Sequence, residues 1–195
     1  MKKMEEHQHT NPEALSRYLN SYIALSKDRI IFVNEDITKE TSSALSSLLL
    51  YYDNKDPEKD IEIYINTNGG DSSALSNIYD VMQMIHAPIK TICIGKAYSA
   101  GAVLLAAGSK GKRYIFKNAK VMIHGIQCLF PIMGDTDQSN SQNYFNFLNN
   151  HNDSIMKILA THSNHTLDKV KEDCKRDVFL DAKAALSYGL VDHIL

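Results

Sequence analysis

The sequence predicts an α/β fold with parallel strands and covering helices, and three observations carry this. Short runs rich in β-branched and aromatic residues alternate with longer segments of helical period. Two of the strand-like runs end in small-residue turns, "TNGG" and "GKAYSAG", where an open parallel sheet gathers its functional loops. The chain has 195 residues, 44% of them hydrophobic, enough for one sizeable core and too little for a second domain.

The elements follow in order. Residues 1–10 are polar and are expected to form a flexible tail, with one domain over residues 11–195. Leu15, Tyr18, Leu19, Tyr22 and Ile23 recur at helical spacing. "DRIIFVN" is a strand candidate, and "TKETSSALSSLLLYYDN" a helix stopped by the loop that holds Pro57. "IEIYIN" is the second strand. The helix "DSSALSNIYDVMQMIH" follows, with Leu75, Ile78, Tyr79, Met82 and Ile85 on one face and Asp71, Ser72 or Ser73 as its cap. "IKTICIG" is the third strand and "SAGAVLLAAG" a short buried helix. "KRYIF" and "KVMIH" are two more strands. The segment from Gly125 to Ser141 has no clear period and reads as irregular. Helices are expected from about Gln142 to Thr161, over "TLDKVKEDC", and over "DAKAALSYG", which Gly189 closes. "LVDHIL" is a last short strand.

The bulk chemistry excludes several classes. A net charge of -2 gives no global basic field, so nucleic acid is not an expected partner. Cys93, Cys128 and Cys174 are odd in number and widely spaced, which argues against a disulfide framework or a zinc knuckle and suggests a reducing compartment. The N-terminus has no apolar signal core, and the most apolar run, "AGAVLLAAG", is far too short to span a bilayer. A soluble, cytoplasmic protein is expected.

Four local features could carry chemistry. Ser99 lies between a strand and a small-residue helix, where a tight turn exposes a hydroxyl and a helix N-terminus offers free N–H groups; it could equally be a plain N-cap. The paired glycines of "TNGG" could turn N–H groups into a cleft or simply make a tight turn. His124 ends an apolar strand, as a core histidine or as a general base. Asp177 precedes Val178, Phe179 and Leu180, as a surface partner of Arg176, a helix cap, or the carboxylate that orients a histidine. His151, His162 and His165 read as solvated surface, the last two being a weak metal pair with no third ligand in view.

Taken together, "DPEKDIEIYINTNGGD", "YDVMQMI", "TICIGKAYSAGAVLLAAGSKGKRYIFKNAKVMIH" and "RDVFLDAKAALSYGLVDHIL" resemble the proteolytic subunit of the Clp protease, the ClpP family. The resemblance runs from about Asp28 to Leu195, with a break between Gly125 and about Ser154. It implies a ClpP/crotonase-like ββα superhelix, a single domain with a protruding helical handle over about residues 125–162. It implies a serine-type endopeptidase, with Ser99 as nucleophile, His124 as general base and Asp177 as the acid that orients it. Gly70 and Ala100 match the two oxyanion-hole amides, and Arg176 matches a ring-to-ring contact. The resemblance further implies peptide or unfolded polypeptide substrates and a ring-shaped homo-oligomer, with two stacked heptamers as the family form. It implies no metal or organic cofactor in the subunit, ATP entering only through a partner Clp-type AAA+ ATPase.

This chain also departs from the family pattern. Tyr98 stands where the family has a small residue, and a phenol there is expected either to narrow the cleft or to shift the turn. Thr67-Asn68 and Asp71 flank the glycines in place of Ser-Pro and an apolar residue, and Gly125-Ile126 replaces Gln-Pro after the histidine. Lys175 takes the place of the acidic partner of Arg176, and Glu62 stands where the ATPase-docking pocket has an aromatic residue beside Tyr64. The changes at Tyr98, at Gly125-Ile126 and in the handle segment make a catalytically silent ClpP-like subunit of a mixed ring the alternative reading. A crotonase-type acyl-CoA enzyme is the third.

Overall fold

The computed structural model describes residues 12–126 and 138–195, with side chains over 19–126 and 142–195. The tail expected over residues 1–10, and most of the segment expected to be irregular, lie outside the described residues. The elements are α1 (Pro12–Lys27), β1 (Ile30–Val33), α2 (Lys39–Lys55), β2 (Ile61–Thr67), α3 (Ser72–Met84), β3 (Ile89–Tyr98), α4 (Ala100–Ala106), β4 (Arg113–Ile115), β5 (Lys120–Ile123), α5 (Gln138–Thr161), α6 (Leu167–Asp173), β6 (Val178–Asp181), α7 (Ala182–Tyr188) and β7 (His193–Ile194).

Local chemistry sets the helix starts. Thr38 and Thr41 form a reciprocal capping box on α2. Of the three candidates at α3, Asp71 is the cap, its Oδ1 accepting from the Ala74 N–H at 2.7 Å. Thr166 and Asp181 do the same for α6 and α7. Helix α5 begins four residues before the expected Gln142. The apolar stripe of α1 is less buried than its spacing predicts: Leu19, Tyr22 and Ile23 stay exposed, on a helix that packs mainly along the edge strand β1, where Tyr22 meets Phe32 edge-on.

The strands form one sheet in the order β1-β2-β3-β4-β7, parallel throughout this path, with β5 and β6 branching from it. The branch is made by β3. Its first half pairs with β4 from Thr91 to Cys93, and its second half pairs with β5 from Lys96 to Tyr98. Between the halves Gly95 has φ +71° and the register against β2 slips, from Ile65 opposite Cys93 to Thr67 opposite Ala97. A side chain there would be strained, and its Cβ would lie 2.7 Å from Asn66 Oδ1. The bulge lets one strand change partners and deliver Tyr98-Ser99 beyond the sheet.

One strand departs from the expected all-parallel pattern. The run "VFLD", which reads as an apolar patch beside Asp177, is β6, and it pairs antiparallel with β5. Four residues of mixed burial give too short an alternation to be read as a strand before its partner is known.

Every residue of α4 is buried, with α4 packed against β2, β3, α3 and α5. Its small residues permit this: a Cβ on Gly101 would meet Thr67 Cγ2 at 2.6 Å. The face predicted for α3 is the buried one, with Leu75, Ile78 and Met82 in the core and Tyr79 and Ile85 half-buried against it.

A polar knot closes the far side. Buried Arg113 holds Asp192 through two bonds, Nε to Oδ2 at 2.9 Å and Nη2 to Oδ1 at 2.6 Å, and its Nη1 reaches the His162 carbonyl at 2.6 Å. Burial works against the Asp192 carboxylate, but the Arg113 hydrogen bonds and charge and the Gly111 N–H outweigh it and hold the group below its usual range. A depressed folded-state value means this contribution is complete above the ordinary carboxylate range and is lost as pH falls through the lower folded one. Asp192→Ala leaves a buried guanidinium unpaired and is expected to cost about 3–5 kcal/mol. Thermal melts at neutral pH check this, and the gap to the parent should shrink below about pH 4.

The histidines near this knot are not the solvated surface expected. His162 is half-buried with Nε2 3.1 Å from the Tyr79 hydroxyl, and burial, then the Arg113 charge, lowers its basicity. His165 lies against the Tyr188 ring at 4.1 Å, so the two face different partners rather than a shared ion. His151 stacks on Phe147, with Nε2 buried and without a hydrogen bond. Aromatic neighbours distant in the chain (Tyr79, Tyr188) or one turn away (Phe147) account for the difference.

Candidate active site

Ser99 occupies the N-cap position of α4, yet its side chain makes no capping hydrogen bond. Its backbone sits at φ +54°, ψ -120°, a region costly for any residue with a Cβ, by about 1–3 kcal/mol. Three contacts over-determine this turn. The Ser99 N–H donates to the Met122 carbonyl at 2.8 Å, and the Ser99 carbonyl accepts from Ala102 and Val103. Gly69 backs onto the turn so closely that a Cβ would lie 2.7 Å from Ser99 Cβ and 2.8 Å from the Tyr98 carbonyl oxygen. The hydroxyl is therefore held out at a strand-to-helix corner and left unused by the helix.

The glycine turn is built against Ile37. The Ile37 N–H donates to the Gly69 carbonyl and the Asp71 N–H to the Ile37 carbonyl, both at 2.7 Å. Gly70 has φ +150°, and a Cβ would lie 2.2 Å from the Ile37 oxygen, so no other residue fits. Buried Thr67 braces the turn: its hydroxyl donates to the Glu35 carbonyl at 2.7 Å and accepts from the Gly69 N–H at 3.1 Å. The N–H groups of Gly70 and Ala100 donate to no acceptor among the described residues. Gly70 and Ala100 line the same cavity, so both amides border it.

His124 and Asp177 come together through β6. The antiparallel register sets Val178 opposite Ile123, so the next step of the ladder sets Asp177 opposite His124. Past the strand ends the two segments stay joined, off that register, by a bond from the Gly125 N–H to the Cys174 carbonyl at 2.8 Å. His124 Nδ1 lies 3.5 Å from Asp177 Oδ1; the imidazole is 13% exposed and the carboxylate 45%. Nδ1 is buried and has no hydrogen bond. At 3.5 Å the pair stands just outside hydrogen-bond range, and an unpaired buried donor costs about 1–3 kcal/mol, so closure is favoured.

Ser99, Ala100, Gly70 and His124 line a cavity of about 290 Å³, floored by Leu75, Val103, Ile155 and Leu159. Asp177 stands behind the histidine, outside the lining. No hydrogen bond joins Ser99 Oγ to His124 in this arrangement; in unliganded sites such contacts are commonly loose. Among the described residues no thiol competes for the role of nucleophile, because burial pushes both Cys93 and Cys174 up to about 12.

Tyr98 does not narrow this cavity. Its ring is outside the cavity lining and meets Phe179 of β6 edge-on at 5.8 Å, with Lys96 above it. The bulk beside Ser99 is thus absorbed by the strand that positions Asp177.

With the geometry in place, two comparisons decide the family. The sequence profile of the Clp protease family matches residues 13–195. The ATP-dependent Clp protease proteolytic subunit 2 of Streptomyces coelicolor is 35% identical, over the whole of this chain and 95% of that protein. The chain belongs to the Clp protease family. Its fold is the mixed α/β arrangement of that family.

Against this Clp protease background the remaining departures acquire partners. Lys175 pairs with Glu172 at 2.5 Å, which offsets its repulsion of Arg176; Arg176 is exposed and forms no ion pair among the described residues. Glu62 pairs with Lys90 at 3.3 Å, and Lys90 lies over the Tyr114 ring. Tyr64 stacks on Phe32 at 5.2 Å. No helix among the described residues is long and apolar enough to cross a membrane. Asn152, which supports the strand end, and the bracing role of Thr67 at the turn escape sequence reasoning, because a single polar residue carries no such signal until its partners are known.

Proposed function

We propose that this Clp protease family member is an active serine endopeptidase subunit, with Ser99 as nucleophile, His124 as general base and Asp177 as the orienting acid. The observation that carries the reading is Ser99 itself. A serine that existed to cap α4 would bond the helix N–H groups from relaxed extended backbone; this one is strained and does not cap. Its hydroxyl borders a cavity shared with an imidazole and two unused N–H groups.

The chemistry follows. Ser99 Oγ attacks the scissile carbonyl carbon while His124 takes its proton. The oxyanion is held by the Gly70 N–H of the glycine turn and the Ala100 N–H at the N-terminal end of α4. His124 returns the proton to the leaving amine, which leaves an acyl-enzyme, and water attacks that ester by the same route. The apolar floor suits an apolar side chain next to the scissile bond. No step calls for a metal or organic cofactor. The assembly is a ring-shaped homo-oligomer, two stacked heptamers by family likeness, with Arg176 at the contact between rings. A Clp-type AAA+ ATPase would deliver unfolded polypeptide.

A fluorophosphonate probe tests the nucleophile. The assembled protein is expected to gain one adduct per chain, which peptide mapping places on Ser99, and His124→Ala is expected to slow labelling at least about a hundredfold. An unlabelled Ser99 in an assembled sample would sink the reading and favour the silent subunit.

A further inference from the structure

The dipeptide after His124 is unlike the family pattern, and the structure gives Gly125-Ile126 a partner of its own. Asn152, on α5, accepts the Ile126 N–H through Oδ1 at 2.8 Å. The neighbouring Gly125 N–H is taken from another direction by the Cys174 carbonyl at 2.8 Å. Two consecutive peptide groups directly after His124 are thereby anchored, one to α5 and one to the loop that leads to Asp177. The absence of a side chain at 125 makes room for this: a Cβ there would lie 3.2 Å from both Asn152 Oδ1 and the Cys174 oxygen. A side chain such as the family's glutamine would crowd the amide, whereas glycine and Asn152 fit together.

We propose that Asn152 is a positioning residue for His124: by fixing the Ile126 peptide it sets where the end of β5 holds the imidazole relative to Ser99 and Asp177. Asn152 acts only through the backbone. The imidazole has no hydrogen bond of its own at Nδ1 and depends on its backbone anchors for position. The Ile126 side chain also lines the cavity, so the same bond places one of its walls. Misplacing a reacting group by about 1 Å costs on the order of a hundredfold in rate.

The inference rests on Ser99, His124 and Asp177 being the reacting set, and the experiment separates the two. Hydrolysis of a small fluorogenic peptide is measured on the assembled full-length protein and on Ser99→Ala. Equal rates would overturn the site reading and this inference with it. With Ser99-dependent turnover established, Asn152→Ala is expected to lower kcat about 10–100-fold while KM moves less than about threefold. Asn152→Asp keeps the Oδ1 acceptor and is expected to recover most of the rate. Asn152→Leu keeps the bulk without the acceptor; it should behave as alanine does, and stands in if alanine fails to fold. Gly125→Ala should slow the parent but cost less on top of Asn152→Ala, since one of the two oxygens it crowds is then gone and only the Cys174 carbonyl remains. Unchanged kcat in both Asn152→Ala and Asn152→Leu, or an aspartate as slow as alanine, would overturn the inference and leave the site reading standing.

Discussion

Ser99→Ala is expected to lower peptide turnover by about ten-thousand-fold or more, leaving only what the oxyanion amides and substrate binding achieve by themselves. The size of the effect follows from the site's economy of parts. Among the described residues Cys93 and Cys174 are buried thiols raised to about 12, and Ser72, the other serine that lines the cavity, opens α3 rather than the strand-to-helix corner beside Ala100. Folding should not suffer, because the Ser99 side chain makes no hydrogen bond to the helix it precedes. A sharper version uses Ser99→Gly. Glycine accepts φ +54° without the Cβ penalty, so this variant should be equally inactive yet more stable, by about 1 kcal/mol. Peptide hydrolysis and thermal melts on both variants check the pair of outcomes. Loss of activity with a gain in stability identifies a residue kept strained for chemistry. Full activity in either variant would remove Ser99 from the mechanism.

Much of this site is legible in the sequence, for identifiable reasons. The glycines of "TNGG" are required by geometry, since Gly70 meets the Ile37 backbone at a distance no Cβ tolerates, and such requirements leave a residue type behind. The strand-to-helix corner at Ser99 is marked by the switch from β-branched residues to a run of alanines and glycines, the pattern α4 needs to be buried on all sides. What escapes reading is what depends on partners distant in the chain. Strand β6 is four residues long and is a strand only because β5 lies beside it, yet its register sets Asp177 opposite His124. That the Tyr98 ring stays out of the cavity lining could not be read without knowing that Phe179 of β6 lies against it. Tyr22 and Ile23 follow a clean helical stripe and remain exposed, because a stripe states what could be covered and not what covers it.

Asp177→Asn is the substitution that separates a working peptidase from a silent copy of its fold. The side chain is 45% exposed, so the fold has little at stake in its charge, and the thermal midpoint should move by only a few degrees. Catalysis has much more at stake. His124 Nδ1 is buried and faces the carboxylate at 3.5 Å. A carboxylate can only accept, so closing the gap fixes the proton on Nδ1 and leaves the Nε2 lone pair to take the proton of Ser99. It also stabilises the imidazolium that forms as Ser99 attacks. An asparagine can present its NH₂ instead, which drives the imidazole proton to Nε2 and removes the base. The expected result is a fall in kcat of about ten-thousand-fold near neutral pH, with fluorophosphonate labelling of Ser99 slowed in parallel. The 3.5 Å gap makes this the decisive measurement. If assembly and substrate close it, the charge is essential and the loss will be of that order. If turnover falls by less than about tenfold, Asp177 does not orient His124, and the antiparallel pairing of β6 with β5 is a structural joint alone.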